Sequence, residues 1–298
     1  MNKDKVAVLT DSGGDIPKAL LERYGIYQIP LRILYRDREY LDGVNISANT
    51  VYAMLPVEVP KTSLPDGAMI QSVFDRIKAD GYEKVLVVCI SSGLSGTCNV
   101  MKILGDAYEG LECFVLDTKN ISIGSGFFAL RAAQYLEQGM GWEELLQKMP
   151  AELPNSRVFF CVKTLEYLQK GGRIGLVAAA FGTALNLKPV ISCNADGIYY
   201  TVGKALGRMQ SIHKIETLAQ QTAGDDEVEL AIMHGGAPEE AELIRAELRK
   251  RIPKGKITVM GQISPALGVH TGPGLLGIGV YIGGGHKKRY RLIDFKRD

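Results

Sequence analysis

The stretch Val85-Leu86-Val87-Val88-Cys89-Ile90, followed by Ser91-Ser92-Gly93-Leu94-Ser95-Gly96-Thr97, sets the fold class. Six consecutive apolar residues, most of them β-branched, predict a strand buried on both faces, as in the middle of a parallel sheet. Small and hydroxyl residues come next, then helical apolar spacing over 98–104, so the unit reads strand, loop, helix. Ligands of such sheets bind at the carboxyl ends of the strands. Glycine and serine let a backbone approach closely, hydroxyls donate hydrogen bonds, and free N–H groups at a helix start attract an anion. The plainer account is that these serines only cap the helix.

Outward from this unit the alternation continues. Strands are predicted at 6–9, 29–34, 85–90 and 114–116, and helices at 68–79, 98–104, 124–138 and 142–149, with Pro17 placed where a first helical turn tolerates it. This pattern argues for a mainly parallel sheet flanked by helices. Pro150-Ala151-Glu152-Leu153-Pro154-Asn155 is polar, carries two prolines and reads as a linker. Beyond it, strands at 158–162, 189–192, 198–202, 229–233, 257–260 and 278–282 are separated by helices at 211–223 and 238–251. Asn194-Ala195-Asp196-Gly197 between two of these strands signals a hairpin. The expectation is an α/β chain of two domains. Residues 1–155 form a mainly parallel sheet flanked by helices and carry the binding site, and 156–298 form an α/β domain with a mixed or antiparallel sheet that completes a cleft.

Composition narrows the function. The 298 residues are 46% hydrophobic and 23% charged, ordinary for a packed protein of this length, and the net charge of +2 gives no reason to expect a nucleic-acid partner. Part of that charge sits in His286-Lys287-Lys288-Arg289-Tyr290-Arg291, which reads as a solvated end. Five scattered cysteines imply no disulfide framework. No stretch approaches the roughly 20 apolar residues of a membrane span, and the start carries no signal-peptide core, so a cytoplasmic location is expected. There is no Cys-x-x-Cys, no His-Glu-x-x-His and no acidic calcium loop, so no metal site is expected. Gly272-Pro273-Gly274-Leu275-Leu276-Gly277 spells a dinucleotide fingerprint, but a strand rather than a helix should follow it, and no cofactor is expected.

Two further segments carry polar chemistry. Lys61-Thr62-Ser63-Leu64-Pro65 precedes a helix and alone reads as a cap, and Val269-His270-Thr271-Gly272-Pro273-Gly274 reads as a glycine-rich loop. With Thr10-Asp11-Ser12, the Ser91 to Thr97 run, Leu168-Gln169-Lys170-Gly171-Gly172-Arg173-Ile174 and Leu187-Lys188-Pro189, they fall in an order that resembles the DegV family of fatty-acid-binding proteins.

In that family two α/β domains enclose an acyl chain and present its carboxylate to a separate fatty acid kinase, which makes an acyl phosphate. The resemblance therefore implies a long-chain fatty acid as ligand, a fatty acid kinase as partner, and no catalysis by this chain. It implies that Thr62 and Ser95 contact the carboxylate, that His270 orders that pair, and that Ser63 and Gly96 belong to the same clamp. Arg173 is implied as the contact for the kinase. Asp117-Thr118 stands where Asp-Ser is usual, and the basic tail after Gly285 extends past the family pattern, leaving room for at most a transient membrane contact.

One alternative uses the same residues. Gly93-Leu94-Ser95-Gly96 after a strand resembles the nucleophile elbow of a serine hydrolase, with His270 following in chain order. The full Gly-x-Ser-x-Gly pattern fails at Thr97, and no acidic third member is marked.

Overall fold

The computed structural model describes residues 2–180 and 187–283. The first half runs β1 (Val6–Asp11), α1 (Lys18–Tyr24), β2 (Tyr27–Ile29), β3 (Arg32–Leu34), β4 (Glu39–Leu41), α2 (Ala48–Met54), β5 (Lys61–Ser63), α3 (Gly67–Ala79), β6 (Lys84–Cys89), α4 (Thr97–Asp106), β7 (Glu112–Asp117), α5 (Ile123–Glu137) and α6 (Trp142–Ala151). The second continues with β8 (Ser156–Cys161), α7 (Glu166–Lys170), β9 (Leu187–Cys193), β10 (Tyr199–Leu206), α8 (Gly207–Ala223), β11 (Val228–His234), α9 (Pro238–Arg251), β12 (Gly255–Gln262), α10 (Pro265–Thr271) and β13 (Leu276–Ile282).

Three sheets result. The first, in order β2-β1-β6-β7, is parallel throughout. The second, β10-β9-β8-β13-β11-β12, is antiparallel except for its β11/β12 edge, and the Asn194 to Gly197 turn joins β9 and β10 as the hairpin signal predicts. The α/β class, with a parallel sheet flanked by helices and a mixed sheet, is therefore as read from the sequence. A small antiparallel sheet, β4-β3-β5, was not foreseen, because its strands are only three residues long.

Alternation along the strands explains the layers. On β6, Leu86 and Val88 face one core with Val6 and Val8 of β1, while Val85, Val87 and Cys89 face another core against α3 and α4. The mixed sheet repeats the pattern: Phe160, Met233 and Tyr281 face the shared central core, while Phe159, Ile232 and Ile278 pack toward α8 and α9. Helix α5 lies between the two sheets, touching β1 and β6 on one side and β8 and β13 on the other. Its sequence is apolar over most of its surface, as a helix packed between two sheets requires, with Arg131, Gln134 and Glu137 on the remaining side. Gly126 lets it touch the chain of the first half, since a Cβ there would lie 2.3 Å from the Gly14 carbonyl oxygen.

Three local expectations are corrected. The predicted strand 29–34 breaks at Pro30, whose missing N–H and restricted predecessor end β2, and the chain re-enters a different sheet at β3. Residues 150–155 are not an open linker. Pro150 lies in the last turn of α6, residues 153–155 form a 3-10 turn, and buried Glu152 accepts from the Tyr135 hydroxyl at 2.7 Å and the Tyr281 hydroxyl at 2.6 Å. His270 stands on helix α10 rather than in a loop, because Ser264 caps and Pro265 opens a helix there. The basic tail 286–291 lies outside the described residues.

Candidate ligand-binding site

Helix α10 packs against α2, α7 and β5, which brings His270 over the edge strand that carries Thr62. Strand β5 pairs with β3, Thr62 opposite Ile33, and the cap of the following helix is Asp66 rather than Thr62 or Ser63. The Thr62 hydroxyl is thereby free to face inward. Its oxygen lies 2.6 Å from His270 Nε2, a bond between residues 208 apart in the chain.

Ser95 lies across from this pair, in the loop between β6 and α4, with its hydroxyl 2.8 Å from that of Thr97. Thr62, Ser63, Ser95, Gly96, Arg173 and His270 all line one cavity of about 160 Å3. The five residues expected at the carboxylate are brought together, and Arg173, expected as a partner contact, joins them. Thr10-Asp11-Ser12 at the end of β1 and Leu187-Lys188-Pro189 opening β9 do not line it. Thr118, the departure from the family pattern, donates its hydroxyl to the Cys89 carbonyl at 2.8 Å, a bond a serine would also make.

Arg173 turns toward this cavity instead of pointing away from the molecule. Its guanidinium donates to the Gly171 carbonyl at 2.7 Å and to the Leu94 carbonyl at 3.3 Å. The two glycines before it have separate jobs. A Cβ on Gly171 would sit 2.0 Å from His270 Nδ1, so only glycine leaves room for the imidazole, and Gly172 takes the left-handed turn at φ +70 that swings Arg173 back. Sequence reading had the Gly-Gly-Arg signal but not its cause. Tyr199, buried in the cavity wall, carries no such signal.

The electrostatics favour an anion. Among the cavity's lining residues Arg173 is the one charged side chain, and there is no carboxylate. Burial and the Arg173 charge push the His270 imidazole down to about 3, so it is neutral at physiological pH. Its Nδ1 is buried with no hydrogen-bond partner. A bare ring nitrogen there costs less than an orphaned N–H, which places the proton on Nε2, donating to Thr62. The Thr62 hydroxyl then has its own proton to give to a third group.

Behind the polar mouth the walls become apolar. Ile121, Tyr199, Leu267 and Thr271 are shared with a second, narrow space of about 30 Å3 lined by Ile123, Val158, Phe160, Leu275 and Ile278, between α5 and the mixed sheet. A more open groove of about 1090 Å3 on another side includes Lys18, Glu22, Asp15, Asp42 and Arg76. Its charges are mixed, and it touches the narrow space only through Met233 and Ile263.

A hydrolytic triad is not assembled. His270 bonds Thr62 rather than Ser95, and no carboxylate meets Nδ1 to orient the ring. Among the described residues there is no group of three or more His, Cys, Asp or Glu arranged to hold a metal ion, and no helix long and apolar enough to cross a membrane.

Fold and site define a class: an α/β protein of one parallel and one mixed sheet, with an enclosed cavity that is hydroxyl-lined at its mouth and apolar behind. The chain belongs to the DegV family, since the family profile described as "Uncharacterised protein, DegV family" matches residues 5–283. A DegV domain-containing protein of Clostridium acetobutylicum is 40% identical over 278 residues, covering 93% of this chain and 99% of that protein. Among solved structures, a DegV family protein from Thermus thermophilus, described by its fatty acid binding, superposes with a TM-score of 0.87 at 28% identity over 95% of this chain and all of that one. A stearic-acid-binding protein from Eubacterium ventriosum gives 0.85 at 27% identity, covering 93% of this chain and 98% of that chain.

Proposed function

We propose that this chain binds one long-chain fatty acid, with the carboxylate at the Thr62, Ser95 and His270 cluster and the acyl chain running inward between α5 and the mixed sheet. The observation that carries it is the Thr62–His270 bond at the mouth of a cavity with one cation, no acid and an apolar continuation. The fatty acids of the structural neighbours from Thermus thermophilus and Eubacterium ventriosum support the ligand class. A buried carboxylate is costly unless several donors meet it. Here the hydroxyls of Thr62 and Ser95, the N–H groups opening α4 and the Arg173 guanidinium supply them, Ser63 and Gly96 shaping the same wall.

The tail supplies affinity. Each buried methylene is worth about 0.8 kcal/mol, so a sixteen-carbon chain contributes on the order of 10 kcal/mol before the costs of ordering. The head group sets direction. The first half supplies Thr62, Ser95 and the N–H groups opening α4, and the second supplies His270, Arg173 and the far wall of the passage. In this reading the chain is a cytoplasmic carrier, not an enzyme, and a separate fatty acid kinase converts the presented carboxylate to an acyl phosphate. The kinase would meet Arg173 at the cavity mouth, where a guanidinium suits both a carboxylate and a transferred phosphoryl group.

Mass spectrometry of lipid extracted from the purified protein tests the ligand. One or two long-chain fatty acids in near-stoichiometric amount are expected, and recovery of no fatty acid, with none bound on titration, would remove the reading. Incubation with ATP and fatty acid should give acyl phosphate only when a kinase is added. A fluorophosphonate probe should leave Ser95 unlabelled, and stoichiometric labelling would favour the hydrolase.

A further inference from the structure

The three places where α10, α5 and the turn after β1 begin or end meet at one junction on the wall of the open groove, where Asp15 and Asp42 are buried. Asp15, in the left-handed conformation at φ 49 and ψ 33, closes the 3-10 turn after β1. Ser122, at φ 54 and ψ −146, precedes α5. Both are conformations that non-glycine residues seldom adopt, so the junction holds two strained residues in contact. The Ser122 hydroxyl donates to Asp15 Oδ2 at 2.5 Å, and Asp15 Oδ1 accepts from the backbone N–H of Ser264, the cap of α10, at 2.8 Å. Asp42 repeats the arrangement. Its Oδ2 accepts from the Ser12 hydroxyl at 2.5 Å, and its Oδ1 accepts from the Ala266 N–H at 2.8 Å.

We infer that Asp15 and Asp42 are positioning residues for the ligand site: two buried carboxylates of the first half clasp the first turn of α10 and so hold His270 against Thr62. The inference rests on the fatty-acid reading above. Two tethers on one turn fix both the axial position and the rotation of the helix. Residue 270 lies four positions after 266, one turn along the same face, so a rotation at the clasp is carried directly to the imidazole. The Ser264 hydroxyl meets only the Leu267 N–H, at 3.4 Å, so the Ala266 and Ser264 N–H groups of this turn depend on Asp42 and Asp15 for their partners.

The test uses the full chain with 15N-labelled histidine. In Asp15→Ala and Asp42→Ala the His270 ring resonances should shift, and palmitate affinity should fall about tenfold. The same substitutions in a His270→Ala background should change affinity less than about twofold, because coupled residues are not additive. Asp42→Asn, which still accepts from Ala266 and donates to Ser12, should restore the resonances. If alanine at 15 or 42 unfolds the chain, Ser12→Ala and Ser122→Ala remove one hydroxyl behind each carboxylate and should give smaller shifts of the same resonances. Unmoved His270 resonances, or an equal loss of affinity in both backgrounds, overturns the inference. If the wild type binds no fatty acid, the ligand reading fails while the resonances still decide the clasp.

Discussion

Thr62 Oγ1 and His270 Nε2 lie 2.6 Å apart, one on an edge strand of the smallest sheet and the other on a helix near the chain's end. Neither element is marked by strong periodicity, and their meeting is the least local relationship in the site.

Removing the clamp should weaken binding without unfolding the protein. A hydrogen bond to a charged group is worth about 1.5–3 kcal/mol, so Thr62→Ala and Ser95→Ala should each lower fatty-acid affinity about 10- to 100-fold. Calorimetric titration measures this, with circular dichroism as the control for folding. Unchanged retention of lipid by the double variant would falsify the site.

Gly171→Ala adds a single methyl where a Cβ would lie 2.0 Å from His270 Nδ1. The ring must swing off Thr62, so this exchange should match His270→Ala in lost affinity. Wild-type affinity would mean that the imidazole's place is immaterial.

The neutral imidazole gives a pH dependence with a definite sign. In the unfolded chain His270 titrates near 6.5, and in the fold burial and Arg173 hold it at about 3. Its contribution to stability is therefore present in full above pH 6.5 and is lost as pH falls toward 3. Asp11 and Asp15, pushed up to about 7 by burial, act oppositely, stabilising most below 3.8 and fading as pH rises through 7. Those two are common to the wild type and His270→Ala and cancel in their difference. From pH 7 to pH 4 the wild type should lose on the order of 3 kcal/mol more than His270→Ala. Urea midpoints at the two pH values check it, and parallel losses would show that His270 takes up its proton in the fold as readily as in the unfolded chain.

Arg173 lines the cavity and should therefore bear on a bound carboxylate. Arg173→Glu should lower fatty-acid affinity more than Arg173→Gln, and the gap between them should narrow as salt is raised. Equal affinity for wild type and Arg173→Glu would return the residue to a purely external role.

Met233 and Ile263 separate the narrow inner space from the open groove. Met233→Ala should shift the extracted lipid toward longer acyl chains, while costing about 2–4 kcal/mol of stability for the lost packing. An unaltered lipid profile would place the chain's end elsewhere.

What could be read from the sequence follows the strength of each local signal. The strands and helices of the parallel and mixed sheets show as long apolar runs, and the helical spacing over 238–251 coincides with the limits of α9. Strands β4 and β5 were invisible because three residues carry no period. The glycine-rich look of 269–274 hid α10, a seven-residue helix whose start depends on Ser264 and Pro265 and on carboxylates from the far half of the chain. The proposed site residues rest on the family resemblance, since no spacing within the sequence links Thr62 to His270. The orientation of Arg173 was not legible at all, because it depends on how Gly172 turns the backbone.

Helix α5 is walled in by a sheet on each side, one from each half of the chain. Loss of the second half would turn one face of this helix, which belongs to the first, out into water, with its phenylalanines at 127 and 128 that pack on Tyr281. Heredity must therefore pass the pair on together, and a change that suits one sheet has to be acceptable to the other.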